Sequence, residues 1–106
     1  MSKITLTYEK KDYVLEYNRQ SVKMMEGQGF VADEISTKPM TMIPMLFYGA
    51  FLKNCKGVKR NLVNDMYDAV GDKTGLVGAL LEMYVETVST LTDDTDEGNA
   101  TWTLTK

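Results

Sequence analysis

Histidine is absent from this 106-residue chain. That removes Ser-His-Asp and Cys-His catalysis, the usual zinc ligand sets and the commonest general base. Cysteine occurs once, at Cys55, so no intrachain disulfide can form and a reducing compartment fits. A thiol acts as a nucleophile only beside a thiolate-stabilising base or a helix N-terminus. Cys55 falls near the expected end of a helix and reads as a packed thiol. Long apolar runs are also lacking: the most apolar stretch, Met40 to Leu52, has 13 residues, whereas a membrane-crossing helix takes about 20. The opening segment, Met1-Ser2-Lys3-Ile4-Thr5-Leu6-Thr7, alternates polar and apolar residues, which is not the pattern of a secretory signal. Positive charge is in deficit, with a formal net charge of −3. Phosphate backbones and anionic lipid are therefore repelled, and neither nucleic acid nor a membrane is expected as a partner.

The composition is otherwise that of a folding chain, with 43% hydrophobic and 25% charged residues. The length suits one domain over residues 1–106, because a second core would need roughly 50 residues of its own. Ile4, Leu6 and Tyr8, then Tyr13, Leu15 and Tyr17, alternate with polar neighbours and predict a hairpin with Glu9-Lys10-Lys11-Asp12 as its turn. Asn18 is placed to cap a helix over about Arg19 to Glu26, with Val22 and Met25 inward and Gly27 or Gly29 ending it. Met40 to about Asn54 is apolar nearly all round and predicts a central helix. In that helix Gly49 implies close approach by a neighbour, and Pro44 is cheapest in the first turn. Leu62, Val63, Met66, Tyr67 and Val70 form one helical stripe, and Leu76, Val77, Leu80, Leu81, Tyr84 and Val88 another. These two helices are expected to pack antiparallel. Residues 92–106 read as an acidic turn followed by a strand or a flexible tail, with Trp102 and Leu104 on one side.

The remaining chemical signals are weak. Read from Asp94, the acidic stretch has oxygen ligands at its first and third positions, but Gly98 stands at the fifth, Asn99 where glycine is required, and Thr105 at the twelfth. It fails as an EF-hand calcium loop. Gly27-Gln28-Gly29 lacks the third glycine and the lysine of a phosphate cradle. Lys53, Lys56, Lys59 and Arg60 form a basic cluster without interleaved aromatic residues, so it is no nucleic-acid platform. No catalytic, cofactor-binding or metal-binding residue is identified. Eight methionines are many for this length. Met40, Met42, Met45, Phe47 and Phe51 form the candidate protein-binding set, because flexible thioethers suit adaptable surfaces and the hairpin and short helices cannot cover an all-round apolar helix.

Several longer motifs run in a familiar order. They are Leu6-Thr7-Tyr8-Glu9, Tyr13 to Arg19, Val22-Lys23-Met24-Met25-Glu26-Gly27-Gln28-Gly29-Phe30, Lys38-Pro39-Met40-Thr41-Met42-Ile43-Pro44-Met45-Leu46-Phe47-Tyr48-Gly49-Ala50-Phe51, and Gly98-Asn99-Ala100-Thr101-Trp102. Together they resemble a family of small phage and prophage proteins of Gram-positive bacteria encoded among tail genes, over nearly the whole chain. In size and element order the chain is also similar to tail assembly chaperones. The resemblance implies a non-enzymatic protein of the bacterial host cytoplasm, with the phage tape measure protein and the tail tube protein as partners and a homo-oligomer as one state. A structural tail or connector component of the virion and a small regulatory protein-binding module are the alternatives. The expected fold is α+β: an N-terminal β-hairpin, with or without a C-terminal strand beside it, packed on a bundle of three to four α-helices.

Overall fold

A computed structural model describes residues 2–94 and 98–106. The centre of the acidic stretch, including the Asp96 of the calcium-loop comparison, lies outside the described residues. The chain is α+β, as expected: strands β1 (Ile4–Tyr8) and β2 (Lys11–Leu15) precede helices α1 (Arg19–Gly27), α2 (Pro39–Gly49), α3 (Arg60–Ala69) and α4 (Lys73–Ser89). A short 3₁₀ turn at Ala32–Glu34 joins α1 to α2.

The hairpin is tighter than the alternation implied. Tyr8 pairs with Lys11, so the loop is the two residues Glu9 and Lys10, at φ 50° and 66°. Left-handed values at both positions are those of a type I′ turn, whose twist matches that of the flanking strands. Neither residue is glycine or asparagine, and the left-handed conformation costs an ordinary L-residue about 1–2 kcal/mol. Replacing Glu9-Lys10 by Asn-Gly should therefore raise stability by about 1 kcal/mol, read as a higher urea midpoint with an unchanged slope.

Tyr13, Leu15 and Tyr17 are buried on one face of the hairpin and its extension. Asn18 caps α1 through a reciprocal pair of bonds: its Oδ1 accepts from the Ser21 N–H at 2.7 Å, and Ser21 Oγ accepts from the Asn18 N–H at 2.9 Å. Val22 and Met25 are buried as the helical period requires. The C-terminus of α1 is followed by Gly29 at φ 99°, where glycine avoids the Cβ penalty.

Helix α2 is the axis of the bundle. It contacts α1, α3, α4 and the 3₁₀ turn, and Leu46, Ala50 and Phe51 at its C-terminal end are fully buried. Against the antiparallel expectation, α3 packs on α2, and α4 packs on α1 and α2 rather than on α3. The wide apolar surface of α2 attracts both stripes more than either attracts the other. Gly49 is where α1 comes close: a Cβ there would meet Met25 Cγ at 2.7 Å. Helix α2 starts at Pro39, one residue before the expected Met40, which puts Pro44 inside the helix. Pro44 has no N–H for the Met40 carbonyl one turn back. Met40 is exposed, and water can serve that carbonyl.

The helix also ends sooner than Asn54. The Ala50 carbonyl, which a longer helix would use, accepts the Glu16 N–H at 3.0 Å. The Ala50 N–H turns instead to the Phe47 carbonyl at 3.1 Å, and the Leu46 carbonyl accepts the buried Tyr17 hydroxyl at 2.6 Å. Burial raises the Tyr17 pKa far above its ordinary value, with Tyr84 adding to the effect, so the hydroxyl stays a donor. The C-terminal ends of α4 and α3 are closed by side chains from other segments. Arg19 Nη2 donates to the Thr90 carbonyl after α4 at 2.6 Å, and Lys73 Nζ donates to the Val70 carbonyl after α3 at 2.7 Å. Residues 100–105 carry no ladder and are exposed, so they do not join the two-stranded sheet.

Candidate functional site: the groove between α2 and α3

The five candidate residues do not share one face of the molecule. In a helix of 3.6 residues per turn, Met40 and Phe47 lie on one side, and Met42 and Met45 point well away from it. Met42 is buried, with its Sδ 3.5 Å from the Val31 N–H. Phe51 is buried between Tyr13 and Phe47, with ring centroids at 6.0 and 5.1 Å. Met45 is half-buried against the core. Only Met40 stands out, at 89% exposure, while Phe47 below it is 1% exposed. As a surface, the set therefore reduces to Met40 with part of Met45. Met42, Phe47 and Phe51 hold the core, because α2 finds cover on three helices.

Met40 stands at the edge of a groove of about 480 Å³ between α2 and α3, lined by Pro39, Met40, Ile43, Pro44, Phe47 and Tyr67, with Asn64 and Asp68 also contributing. Phe47 meets Tyr67 edge to face at 5.3 Å, and Lys73 Nζ lies 5.8 Å from the Tyr67 ring centroid. Ile43, Pro44 and Tyr67 were not among the candidate binding residues read from the sequence. Their signal was available: Ile43 and Pro44 follow Met40 by three and four residues, on the same helical face.

A larger cleft lies elsewhere, at about 710 Å³ between β2 and the segment 54–62, where Lys11, Lys56, Lys59 and Cys55 are among the lining residues. The basic cluster seen in sequence is divided there. Lys53 pairs with Glu16 at 3.0 Å, and the Arg60 guanidinium lies 4.3 Å from the Tyr48 ring centroid. Lys56 and Lys59 alone of the four line the cleft. Among the described residues, no group of three or more His, Cys, Asp or Glu side chains is placed to hold a metal ion. Nor is any helix among them long and apolar enough to cross a membrane.

Glu16 ties β2 to the segment after α2. Its carboxylate accepts from Asn54 Nδ2 at 2.9 Å and from Lys53 Nζ at 3.0 Å. The Asn54 bond first, and then Lys53, hold its pKa below the ordinary 4.5. Glu86 is also lowered, chiefly by the Ser2 N–H. A carboxylate lowered on folding stabilises the native state above its unfolded pKa, and that contribution is lost as pH falls through the folded one. Urea midpoints should therefore be flat near neutrality and fall with acid below about pH 5. Glu16→Gln should flatten that acid slope, as seen in a series of urea titrations across pH.

An α+β body with a helical groove of apolar lining is the class defined by this fold and site. The chain belongs to the family described as Domain of unknown function (DUF5055), whose model matches residues 1–105. No curated protein and no solved structure matches it.

Proposed function

We propose that this protein is a non-enzymatic phage tail assembly chaperone, or a closely related tail accessory protein, that takes an apolar helical stretch of a tape measure protein into the α2–α3 groove. The tail tube protein is its second partner. The observation that carries the reading is Met40, 89% exposed beside Ile43, Pro44 and Tyr67 in one apolar groove. Burying a methionine side chain is worth about 1.5–3 kcal/mol, and a groove of this lining suits the apolar face of a helix. The choice of partner rests on the sequence motifs that resemble phage tail-region proteins. A tape measure is long and rich in apolar helix, and it aggregates when bare; small proteins along it keep it soluble until tube subunits replace them. A net charge of −3 on each copy favours a coated array that repels its neighbours. The reading requires no cofactor.

Two fates separate a chaperone from a virion component. Mass spectrometry should find the chain bound to tape measure in cells assembling tails and missing from finished particles. Stoichiometric presence in finished particles would assign it to the virion instead.

A further inference from the structure

Among the described residues, nothing pairs with the outer edge of strand β1. In a hairpin closed by a two-residue loop, hydrogen-bonded pairs alternate outward from the turn. The register Tyr8↔Lys11, Leu6↔Tyr13, Ile4↔Leu15 therefore directs Ile4, Leu6 and Tyr8 toward β2. The N–H and C=O groups of Thr5 and Thr7 face away from it. The outer side of β2 is partly taken, since the Val14 carbonyl accepts from Asn54 Nδ2 at 3.3 Å and the Glu16 N–H is used by Ala50. Apart from Lys3 at its start, β1 has none of the bulges, prolines or charges that protect edge strands. Its apolar side chains, Ile4, Leu6 and Tyr8, are only half-buried, unlike Tyr13 and Leu15 of β2.

The chain carries a segment that fits this edge. Ala100-Thr101-Trp102-Thr103-Leu104-Thr105 alternates apolar and threonine residues just as Ile4-Thr5-Leu6-Thr7-Tyr8 does. Laid beside β1, it sets Trp102 and Leu104 on the half-covered apolar face and threonine against threonine on the other, both favourable cross-strand pairings. In its own chain the segment is unpaired, with Trp102 87% and Leu104 69% exposed. The start of β1 is joined to α4 by the Ser2 N–H, which donates to Glu86 Oε1 at 2.8 Å. Beside Glu86, Gly78, Leu81, Glu82 and Val85 line a shallow hollow, and a Cβ added at position 78 would meet no atom within 4 Å.

We infer that residues 100–105 of one copy add as a third strand to β1 of a second copy, so that the protein associates with itself by strand exchange. The exchange leaves the α2–α3 groove free and does not depend on the tape-measure reading. The test is light scattering of the full chain over a concentration series, together with amide hydrogen exchange. The mass should rise from one chain to two with concentration, and the Thr5 and Thr7 amides should slow by at least about tenfold in the associated form. Trp102→Lys, on an exposed side chain, should return both readings to those of the single chain. Thr5→Pro should do the same, because it removes an outward N–H and leaves the β1–β2 ladder bonds in place. Association that survives both substitutions overturns the inference. So does a chain that stays single throughout, whether its Thr5 and Thr7 amides exchange freely or are covered by its own C-terminal segment.

Discussion

Phe47→Ala should cost about 3–5 kcal/mol of stability, the largest loss expected of any single substitution discussed here. Phe47 is 1% exposed and meets Phe51 and Tyr67 edge to face at 5.1 and 5.3 Å. It thereby joins the core under the hairpin to the wall of the groove. Three features prevent the site from closing over the cavity: α2 is held on several sides at once, Tyr17 clamps the Leu46 carbonyl, and Met25 already fills the space at Gly49. Domains of this size are stable by about 5–15 kcal/mol, so the loss should lower the melting temperature by about 15–25 °C. Thermal and urea unfolding followed by circular dichroism would measure it. A loss below about 1 kcal/mol would mean that Phe47 is a surface residue. For the same reason a binding experiment on Phe47 or Phe51 would report folding rather than recognition.

Met40→Asp should do the reverse, abolishing partner binding while leaving the fold intact. Position 40 lies in the first turn of α2, where a carboxylate is favoured by the helix dipole by about 0.3–1 kcal/mol. The native side chain there contributes little burial of its own. In a complex, the same aspartate would be driven against Ile43 and the partner's apolar face without a counter-charge. Burying an unpaired charge in a contact costs at least about 2 kcal/mol, or about thirtyfold in affinity. Titration calorimetry with a tape measure segment should show that loss, with the melting temperature unchanged or slightly raised. Met45→Asp should weaken binding less, because Met45 lies on another side of α2.

How much of this could be read from the residues depends on how local each cause was. The hairpin's alternation, the Asn18 cap and the inward Val22 and Met25 follow from neighbouring residues, and all three are found. Gly49 was legible too, since a glycine in an apolar helix needs a packing reason. The phase of α4 was harder. Its buried line runs through Leu80, Met83, Tyr84 and Thr87; the apolar pattern found Leu80 and Tyr84, but gave Leu81 and Val88 in place of Met83 and Thr87. Thr87 looks polar in sequence, but its hydroxyl donates to the Met83 carbonyl at 3.0 Å within the helix and can be buried at little cost. The early end of α2 was not legible, because it depends on the Glu16 N–H and the Tyr17 hydroxyl arriving from far along the chain. The groove was half legible: Met40 was identified, but the wall supplied by Tyr67 required knowing that α3 packs on α2 rather than on α4.

The most direct test of the chaperone reading is co-expression with a tape measure protein, followed by size-exclusion chromatography with light scattering. A soluble complex holding several copies per tape measure is predicted, and it should be lost with Met40→Asp although that variant folds. A tape measure that precipitates while the chain elutes alone, or a complex indifferent to Met40→Asp, would contradict the account.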